Sequence, residues 1–356
     1  MAEPLCLSMS PKIKHAVFFV VGVVISAACL WLVLRKQNLG DLVATVQSIH
    51  WTWVVLSTFV FYFSMYLRAV RWRLFFPPGT VASGRRIFGP MMIGYTLNNL
   101  FPGRIGEVAR AVIVGCREPT TIATAMATVV AERVFDIVTV LGGLALVLAV
   151  VPFGDFSYQY RGFSLDTTLL ESAVQKAIPL IAVLIIGIIT MMVPATRALV
   201  VRLTQAVGFL PHRTIEFAGR VIESFARGFE GMKSPARIVL IIALSIVIWA
   251  LAGWSVALLG PAFETRITVM QGIAIMVIVC VAILIPAAPG YWGLYEAGFL
   301  FAATVLAIST DIATMTAMAL LLHLCQYVPI IIIGFVWAAV SGTSVGATVQ
   351  DTQIRG

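Results

Sequence analysis

Apolar runs long enough to cross a lipid bilayer recur along the whole chain, and no other feature limits the fold as strongly. The unbroken runs cover roughly residues 14–34, 52–69, 121–151, 174–193, 236–259 and 312–340. A helix needs about 20 such residues to cross a bilayer core about 30 Å thick. Hydrophobic residues make up 60% of the 356 positions, and charged residues make up 11%. The sequence therefore predicts an all-α, polytopic integral membrane bundle.

Two further apolar segments, 87–117 and 268–309, are each broken near the middle by proline and glycine. The residues at and beside the breaks are Pro102, Gly103 and Gly106 in the first segment and Pro286, Pro289, Gly290 and Gly293 in the second. Because proline interrupts a helix and glycine frees the backbone, we expect each segment to form a helical hairpin, either re-entrant or fully crossing. The short match between PGRIGE and PGYWGLYE predicts an inverted repeat whose broken helices meet near the midplane.

The arginines and lysines between spans predict the orientation. Loop 68–86 holds five arginines, and loop 194–237 holds six arginines and one lysine, so we expect both on the cytoplasmic side of a bacterial-type inner membrane. Residues 1–12 and the tail 341–356 are then also cytoplasmic, and residues 13–340 form one membrane domain. In this arrangement the two broken hairpins enter from opposite faces.

Residues 211–231 have the pattern of an amphipathic helix on the cytoplasmic membrane surface. Apolar residues recur at helical spacing, and Glu216 and Glu223 each precede an arginine by four residues. A solvated linker helix without a substrate role is the more ordinary interpretation of this pattern.

Charged side chains inside apolar segments are the main functional signal, since each costs at least a few kcal/mol unless a partner or an aqueous cavity compensates. Arg104, Glu107 and Arg110 follow the first break at intervals of three residues, which predicts one helix face with net positive charge. The N-terminus of that helix adds to the field. We expect an anion site here, with Asn98 and Asn99 as neutral hydrogen-bonding groups.

A second charged cluster consists of Glu132, Arg133 and Asp136. Arg133 is expected to reach Asp136 at i+3, and the remaining negative charge needs a basic partner from another helix. The expected partners are Arg104 and Arg110 first, then Arg68 and Arg71. A packing network and a functional network both explain such a cluster.

The second span carries Arg68, Arg71 and Trp72 near its cytoplasmic end. Arginines that snorkel to the interface beside a tryptophan explain most such clusters. Contact with a headgroup phosphate is the alternative.

Glu296 follows the second break. We expect this carboxyl group to carry a proton or to pair with an arginine of the first hairpin, and a glutamate near the membrane interface is the alternative. His323, in the last span, is expected to be a satisfied packing residue.

Other functional signatures are absent from the sequence. The five cysteines show no CxxC motif and no histidine spacing, so we expect no metal site and no disulfide framework. No Walker loop, nucleophile elbow or HExxH motif occurs, and we expect no cofactor and no catalytic residue. The net charge of +8 comes from arginines between spans rather than from a basic arm, so nucleic acid is not an expected partner.

Four motifs, taken in order, resemble the lysylphosphatidylglycerol synthetase transmembrane-region family of flippase-like proteins. They are RAVRW at 68–72, NNLFPGRIGEVARA at 98–111, ERVFDI at 132–137 and PAAPGYWGLYEAG at 286–298. The resemblance implies a stand-alone member without an aminoacyl-transferase domain. It also implies the following site residues: Arg71, Asn98, Pro102, Gly103, Arg104, Gly106, Glu107, Arg110, Glu132, Arg133, Asp136, Pro289, Gly290, Gly293 and Glu296.

The functional prediction is a lipid transporter that is not an enzyme. It would move an anionic phospholipid, or a polyprenyl-type, glycolipid or hopanoid-related molecule, between leaflets while a polar cavity holds the headgroup. Enzymes of lipid or glycan synthesis are expected partners beside the membrane lipids themselves. Two alternatives stay open: a membrane enzyme acting on a lipid phosphate, with Glu107 or Glu132 as general base, and a scaffold for a lipid-synthesis complex.

Overall fold

The architecture is known from a computed structural model. It describes residues 24, 26–35, 39–80, 83–101, 104–150, 157–160, 163–166, 234–283, 288–308 and 311–342, together with a few single positions between 179 and 202. Helices dominate this part of the chain, and the predicted all-α membrane bundle is confirmed. One feature was not predicted: a two-stranded antiparallel hairpin, with β1 at Ser157–Tyr160 and β2 at Phe163–Asp166.

Nine helices have defined bounds among the described residues, and residues 26–34 are also helical. The nine are α1 Leu39–Ser48, α2 Trp51–Phe75, α3 Gly84–Leu100, α4 Ile105–Arg117, α5 Ile122–Val150, α6 Pro235–Leu259, α7 Val269–Ala282, α8 Leu294–Val305 and α9 Ile312–Val340. Short 3-10 turns follow α6 at Gly260–Phe263 and precede α8 at Pro289–Tyr291.

Three helices in the described part of the chain are long and apolar enough to cross a membrane: α2, α6 with its 3-10 extension, and α9. Helix α5 is as long as α9, at 29 residues, but it carries the charged cluster of Glu132, Arg133 and Asp136. The described residues do not include the predicted N-terminal segment 1–12, most of the predicted tail 341–356, the connector 211–231 or most of the span 174–193.

Both broken segments form helix pairs. The first pair is α3 and α4, and α4 begins at Ile105, directly after Arg104. The second pair is α7 and α8, with Pro289 and Gly290 in the turn between them. Pro102, Gly103 and Pro286 lie outside the described residues. Each predicted break therefore coincides with the gap between two helices.

Glycines allow two of the helix pairs to approach at backbone distance. A Cβ atom added at Gly106 would lie 1.8 Å from the carbonyl oxygen of Gly94, and one at Gly272 would lie 2.1 Å from that of Gly253. The first contact joins α3 to α4, and the second joins α6 to α7. No side chain larger than hydrogen fits at either crossing.

Gly106→Ala is expected to lower the stability of the protein by about 2 kcal/mol, because the added methyl group forces α3 and α4 apart. Thermal unfolding of the detergent-purified protein measures this effect. Gly142→Ala on α5 is the matched control, since a Cβ there meets no atom within 4 Å. Equal melting temperatures for the two variants would contradict the close crossing.

Asp311 caps the N-terminus of α9. Its carboxylate accepts hydrogen bonds from the Thr314 hydroxyl and from the backbone N–H groups of Ala313 and Thr314. These bonds, that of the Thr314 hydroxyl above all, lower the pKa of the Asp311 carboxyl group. The cap therefore stabilises the fold above the ordinary carboxyl pKa, and its contribution is lost as the pH falls through the lowered value.

Candidate functional site

Arg71 lies at the centre of a buried ion-pair network. Its Nη2 atom is 2.7 Å from Oδ1 of Asp136 and 3.3 Å from Oε1 of Glu132. Its Nη1 atom donates a hydrogen bond of 2.8 Å to the hydroxyl of Ser245 on α6. The prediction that Arg71 snorkels from the end of its span is wrong: α2 continues to Phe75, and the Arg71 side chain is 0% exposed.

Arg68 and Trp72, the neighbours of Arg71 on α2, are buried as well. Nη1 of Arg68 lies 3.7 Å from Oδ1 of Asp136, and its guanidinium group stacks over the ring of Trp249 at 5.1 Å. The indole N–H of Trp72 donates to the hydroxyl of Thr128 on α5. These residues therefore face the interior of the bundle and not the membrane interface.

Arg110, on α4, reaches the same network from the first hairpin. Its Nη1 atom lies 2.8 Å from Oε2 of Glu132, and its guanidinium group lies over the ring of Trp72 at 4.6 Å. The ion pair is close but does not have hydrogen-bond geometry. None of the three guanidinium nitrogens of Arg110 makes a hydrogen bond within the described part of the chain. Arg110 therefore holds buried donors that a ligand oxygen can use.

Arg133 forms the open side of the network. Its Nη2 atom lies 3.2 Å from Oδ2 of Asp136 and 3.3 Å from Oε1 of Glu132, which confirms the contact predicted at i+3. Its Nε atom is 3.9 Å from Oε1 of Glu107. The side chains of Arg133 and Glu107 are 30% and 24% exposed, whereas that of Glu132 is 0% exposed. The network thus opens to the protein surface at Arg133 and Glu107.

We call these ion-paired groups the arginine network. Its members are Arg68, Arg71, Arg110, Arg133, Glu107, Glu132 and Asp136. Four guanidinium groups face three carboxylates, so the formal charge is 4 − 3 = +1. Because unpaired charge is costly away from water, the excess positive charge favours an anionic ligand on the open side.

Arg104, also an expected partner of this network, has a different position. It is exposed, takes a left-handed φ of 54° before α4, and makes no ion pair with Glu132 or Asp136 in the described part of the chain. Its side chain instead lies near Tyr291 in the turn of the second hairpin. Of the candidate partners, Arg110, Arg68 and Arg71 therefore pair with the cluster, as predicted, and Arg104 does not. Arg104 instead lies between the two hairpins.

The two asparagines stabilise the first hairpin and its contact with α9. Oδ1 of Asn98 accepts a hydrogen bond of 2.8 Å from the backbone N–H of Gly106, across the break. The backbone carbonyl of Asn99 accepts one of 3.4 Å from the hydroxyl of Tyr327 on α9. The Asn98 side chain therefore supplies the acceptor that the start of α4 needs.

Glu296 is fully buried at the start of α8. Its Oε2 atom accepts a hydrogen bond of 2.7 Å from the backbone N–H of Gly293, and its Oε1 atom lies 2.6 Å from Nδ1 of His323 on α9. The expected pairing with an arginine of the first hairpin is therefore wrong. The partner of Glu296 is His323, which was expected to be only a packing residue.

Aromatic rings surround His323. Its imidazole stacks on Tyr295 at 4.2 Å, lies 4.5 Å from the ring of Trp292, and meets Tyr327 edge-on at 5.8 Å. The sequence contains a signal for this pair: Glu296 is the one charged residue between positions 269 and 310, and His323 is the one histidine in α9. A lone carboxyl group in an apolar hairpin needs a polar partner.

The two hairpins meet at their breaks. The turn at Pro289–Tyr291 packs against α3, and Tyr291 contacts Arg104. The hydroxyl of Tyr327, beside His323, binds the backbone at Asn99. The structure therefore connects the Glu296/His323 pair with the first hairpin, although no ion pair joins Glu296 to an arginine among the described residues.

These features define an integral membrane protein of helical hairpins with a charged site inside the bundle. The chain belongs to the lysylphosphatidylglycerol synthase TM region family, whose family model matches residues 19–334.

Two curated proteins are similar to parts of the chain. A protein named glycosyltransferase AglD, from Haloferax volcanii, is 25% identical over 333 residues, which is 88% of this chain and 53% of that protein. A UPF0104 membrane protein from Methanothermobacter thermautotrophicus is 29% identical over 128 residues, which is 35% of this chain and 37% of that protein. The chain thus spans about half, or less, of the length of these relatives.

Proposed function

We propose that the protein transports a lipid with an anionic headgroup between the leaflets of a bacterial-type inner membrane, with both termini in the cytoplasm. The observation that carries this proposal is the arginine network, which lies inside a membrane bundle with an excess of one positive charge. Arg110 adds buried guanidinium nitrogens that make no hydrogen bond among the described residues. Membership of the family supports a lipid-related role.

In this proposal the members of the site have different roles. Arg110, Arg133 and the exposed Arg104 bind the headgroup phosphate, because guanidinium groups match phosphate oxygens in geometry and charge. Glu132 and Asp136 orient these arginines. Arg71 already donates hydrogen bonds to Ser245, Glu132 and Asp136, so it stabilises the network and does not touch the lipid. No residue has a catalytic role, and Asn98 and Asn99 keep the first break in shape.

Arg104→Ala is expected to reduce lipid movement at least about tenfold, since a charge-assisted hydrogen bond contributes about 1.5–3 kcal/mol. The assay uses liposomes with the purified protein and fluorescent phosphatidylglycerol, whose outer-leaflet fraction is quenched chemically. Arg266→Ala is the control, because Arg266 is exposed in the connection before α7. Undiminished transfer by Arg104→Ala would contradict the proposal. A scaffold function predicts that neither variant changes lipid movement.

A second candidate function comes from the similarity to a protein named as a glycosyltransferase. In this alternative the chain takes part in the transfer of a sugar to or from a membrane lipid. Mass spectrometry of lipids incubated with the purified protein and with nucleotide or lipid-linked sugars tests it. A new lipid product that disappears in Glu107→Gln would favour the enzyme, whereas unchanged lipid masses together with leaflet exchange favour the transporter.

A further inference from the structure

The Glu296/His323 pair lies apart from the arginine network and is the strongest chemical feature outside it. Both side chains are buried, at 0% and 4% exposure, and a distance of 2.6 Å joins them. Residues 269–310 contain no charged side chain besides Glu296, and α9 contains no Asp, Glu, Lys or Arg. Neither residues 269–310 nor α9 therefore carries a further charged side chain that compensates a change in the charge of the pair.

We propose that this pair is the proton-binding site of the transporter, so that lipid movement is coupled to proton movement. The inference rests on the proposed function. With one exchangeable proton the pair is neutral overall, as carboxylate with imidazolium or as carboxylic acid with neutral imidazole. Release of that proton leaves a carboxylate beside a neutral imidazole, a net charge of −1. The proton is taken up from one aqueous side and released to the other, and no other bond changes.

The other titratable groups around the pair are tyrosines and cysteines. Helix α8 contributes Tyr295, α9 contributes Tyr327 and Cys325, and α7 contributes Cys280. Cys29, in the helical residues 26–34, faces Gly293. Arg104 reaches only the turn, through Tyr291. Tyrosine hydroxyls and cysteine thiols ordinarily stay neutral below about pH 8, whereas histidine ordinarily changes its charge between about pH 5 and 8. Among these neighbours the pair therefore holds the one imidazole and the one carboxyl group.

Protonation at this place acts on the turn of the second hairpin. The carboxylate of Glu296 holds the backbone N–H of Gly293, which has a φ of +86°. The ring of Trp292, one residue earlier, packs on His323, and Tyr291 contacts Arg104. A protonated carboxyl group is a weaker hydrogen-bond acceptor. The protonation state is thus linked through three consecutive residues to the first hairpin, where the headgroup is expected to bind.

The coupling is tested in proteoliposomes that contain fluorescent phosphatidylglycerol and an internal pH dye. With one proton moved per lipid, a gradient of one pH unit shifts the leaflet ratio of the lipid about tenfold, and reversal of the gradient reverses the shift. Glu296→Gln retains an oxygen acceptor for the Gly293 N–H, and it is expected to move lipid with no response to the gradient. Glu264→Gln, at an exposed position, keeps the full response. A tenfold response in Glu296→Gln would overturn the proposal.

A second measurement tests the proton-binding site without a transport assay. The chain has four histidines, so ¹⁵N-labelled histidine and the variant His323→Gln assign one ring resonance in detergent. We expect the pH dependence of this resonance to differ between the wild-type protein and Glu296→Gln, while the exposed control His50→Gln leaves it unchanged. A His323 resonance that does not change with pH refutes the proton site. If no lipid moves at any pH, the proposed transport function is contradicted. The existence of the proton site is then decided by the His323 resonance, which does not depend on transport.

Discussion

Arg71→Met is expected to lower the free energy of unfolding by about 3–5 kcal/mol, because it removes the nearest counter-charge of the buried Asp136, at 2.7 Å. Arg71 also pairs with Glu132 and donates a hydrogen bond to Ser245, and these residues are all inside the bundle. Methionine fills a similar volume and adds no new charge. The loss therefore comes from the broken buried ion pairs and hydrogen bonds and not from a cavity.

Equilibrium unfolding of the purified protein in mixed micelles, titrated with a denaturing detergent, measures this effect. Arg73→Met is the matched control: Arg73 lies two residues further along α2 and is exposed, so its replacement is expected to change stability by less than about 0.5 kcal/mol. An effect of Arg71→Met no larger than that of the control would show that the network contributes little to folding. Arg71 would then have no structural role in the network.

Sequence reasoning found most members of the charged site and the candidate partners of its carboxylates, but it did not specify which carboxylate each arginine contacts. Proline and glycine placed the breaks, and the cost of charge in a membrane singled out Arg110, Glu132 and Asp136. The contact between Arg133 and Asp136 follows from helix geometry alone, because both lie on α5. Contacts between helices depend on the rotation of each helix about its axis, which one sequence does not specify. Ser245, a hydrogen-bond partner of Arg71, was missed for this reason.

Two errors have clear physical causes. Arg71 was expected at the interface because the pattern of snorkelling arginines beside a tryptophan is the same whether a helix ends there or continues. The apolar residues up to Phe75 extend α2 by a further turn and carry Arg71 inside the bundle. The sequence did not predict the partner of His323, because a lone histidine in an apolar helix is usually a packing residue. Its partner Glu296 lies 27 residues away in the sequence.

The predicted inverted repeat gains support from the backbone. Arg104 and Tyr291 occupy equivalent positions, each directly after Pro-Gly, and both have left-handed φ angles, of 54° and 59°. The two side chains also contact one another. Gly106 and Gly293, again equivalent, both lie where an added Cβ would meet backbone atoms of a neighbouring helix. The two positions therefore share a left-handed backbone, but one carries an arginine and the other an aromatic ring, and the inverted repeat stays a prediction.

Glu132→Gln is expected to destabilise the protein by about 3 kcal/mol or more, because three guanidinium groups would then surround a neutral amide. Those of Arg71, Arg110 and Arg133 all lie within 3.3 Å of a Glu132 carboxylate oxygen. A second substitution, Arg110→Met, removes one of the three charges. The double variant is therefore expected to be more stable than the sum of the single effects indicates, by about 2–3 kcal/mol.

These three variants form a double-mutant cycle, and its control is the same cycle on an ion pair that is weakened by exposure to solvent. Arg86 and Glu118 serve this purpose: their ion pair is 3.7 Å long, and the Arg86 side chain is 63% exposed. The cycle of Arg86→Met and Glu118→Gln is expected to give a coupling below about 1 kcal/mol. Equal coupling in the two cycles would mean that Glu132 and Arg110 interact as weakly as a surface pair. Arg110 would then be stabilised by Trp72 rather than by charge, and its place in the headgroup site would lose its electrostatic basis.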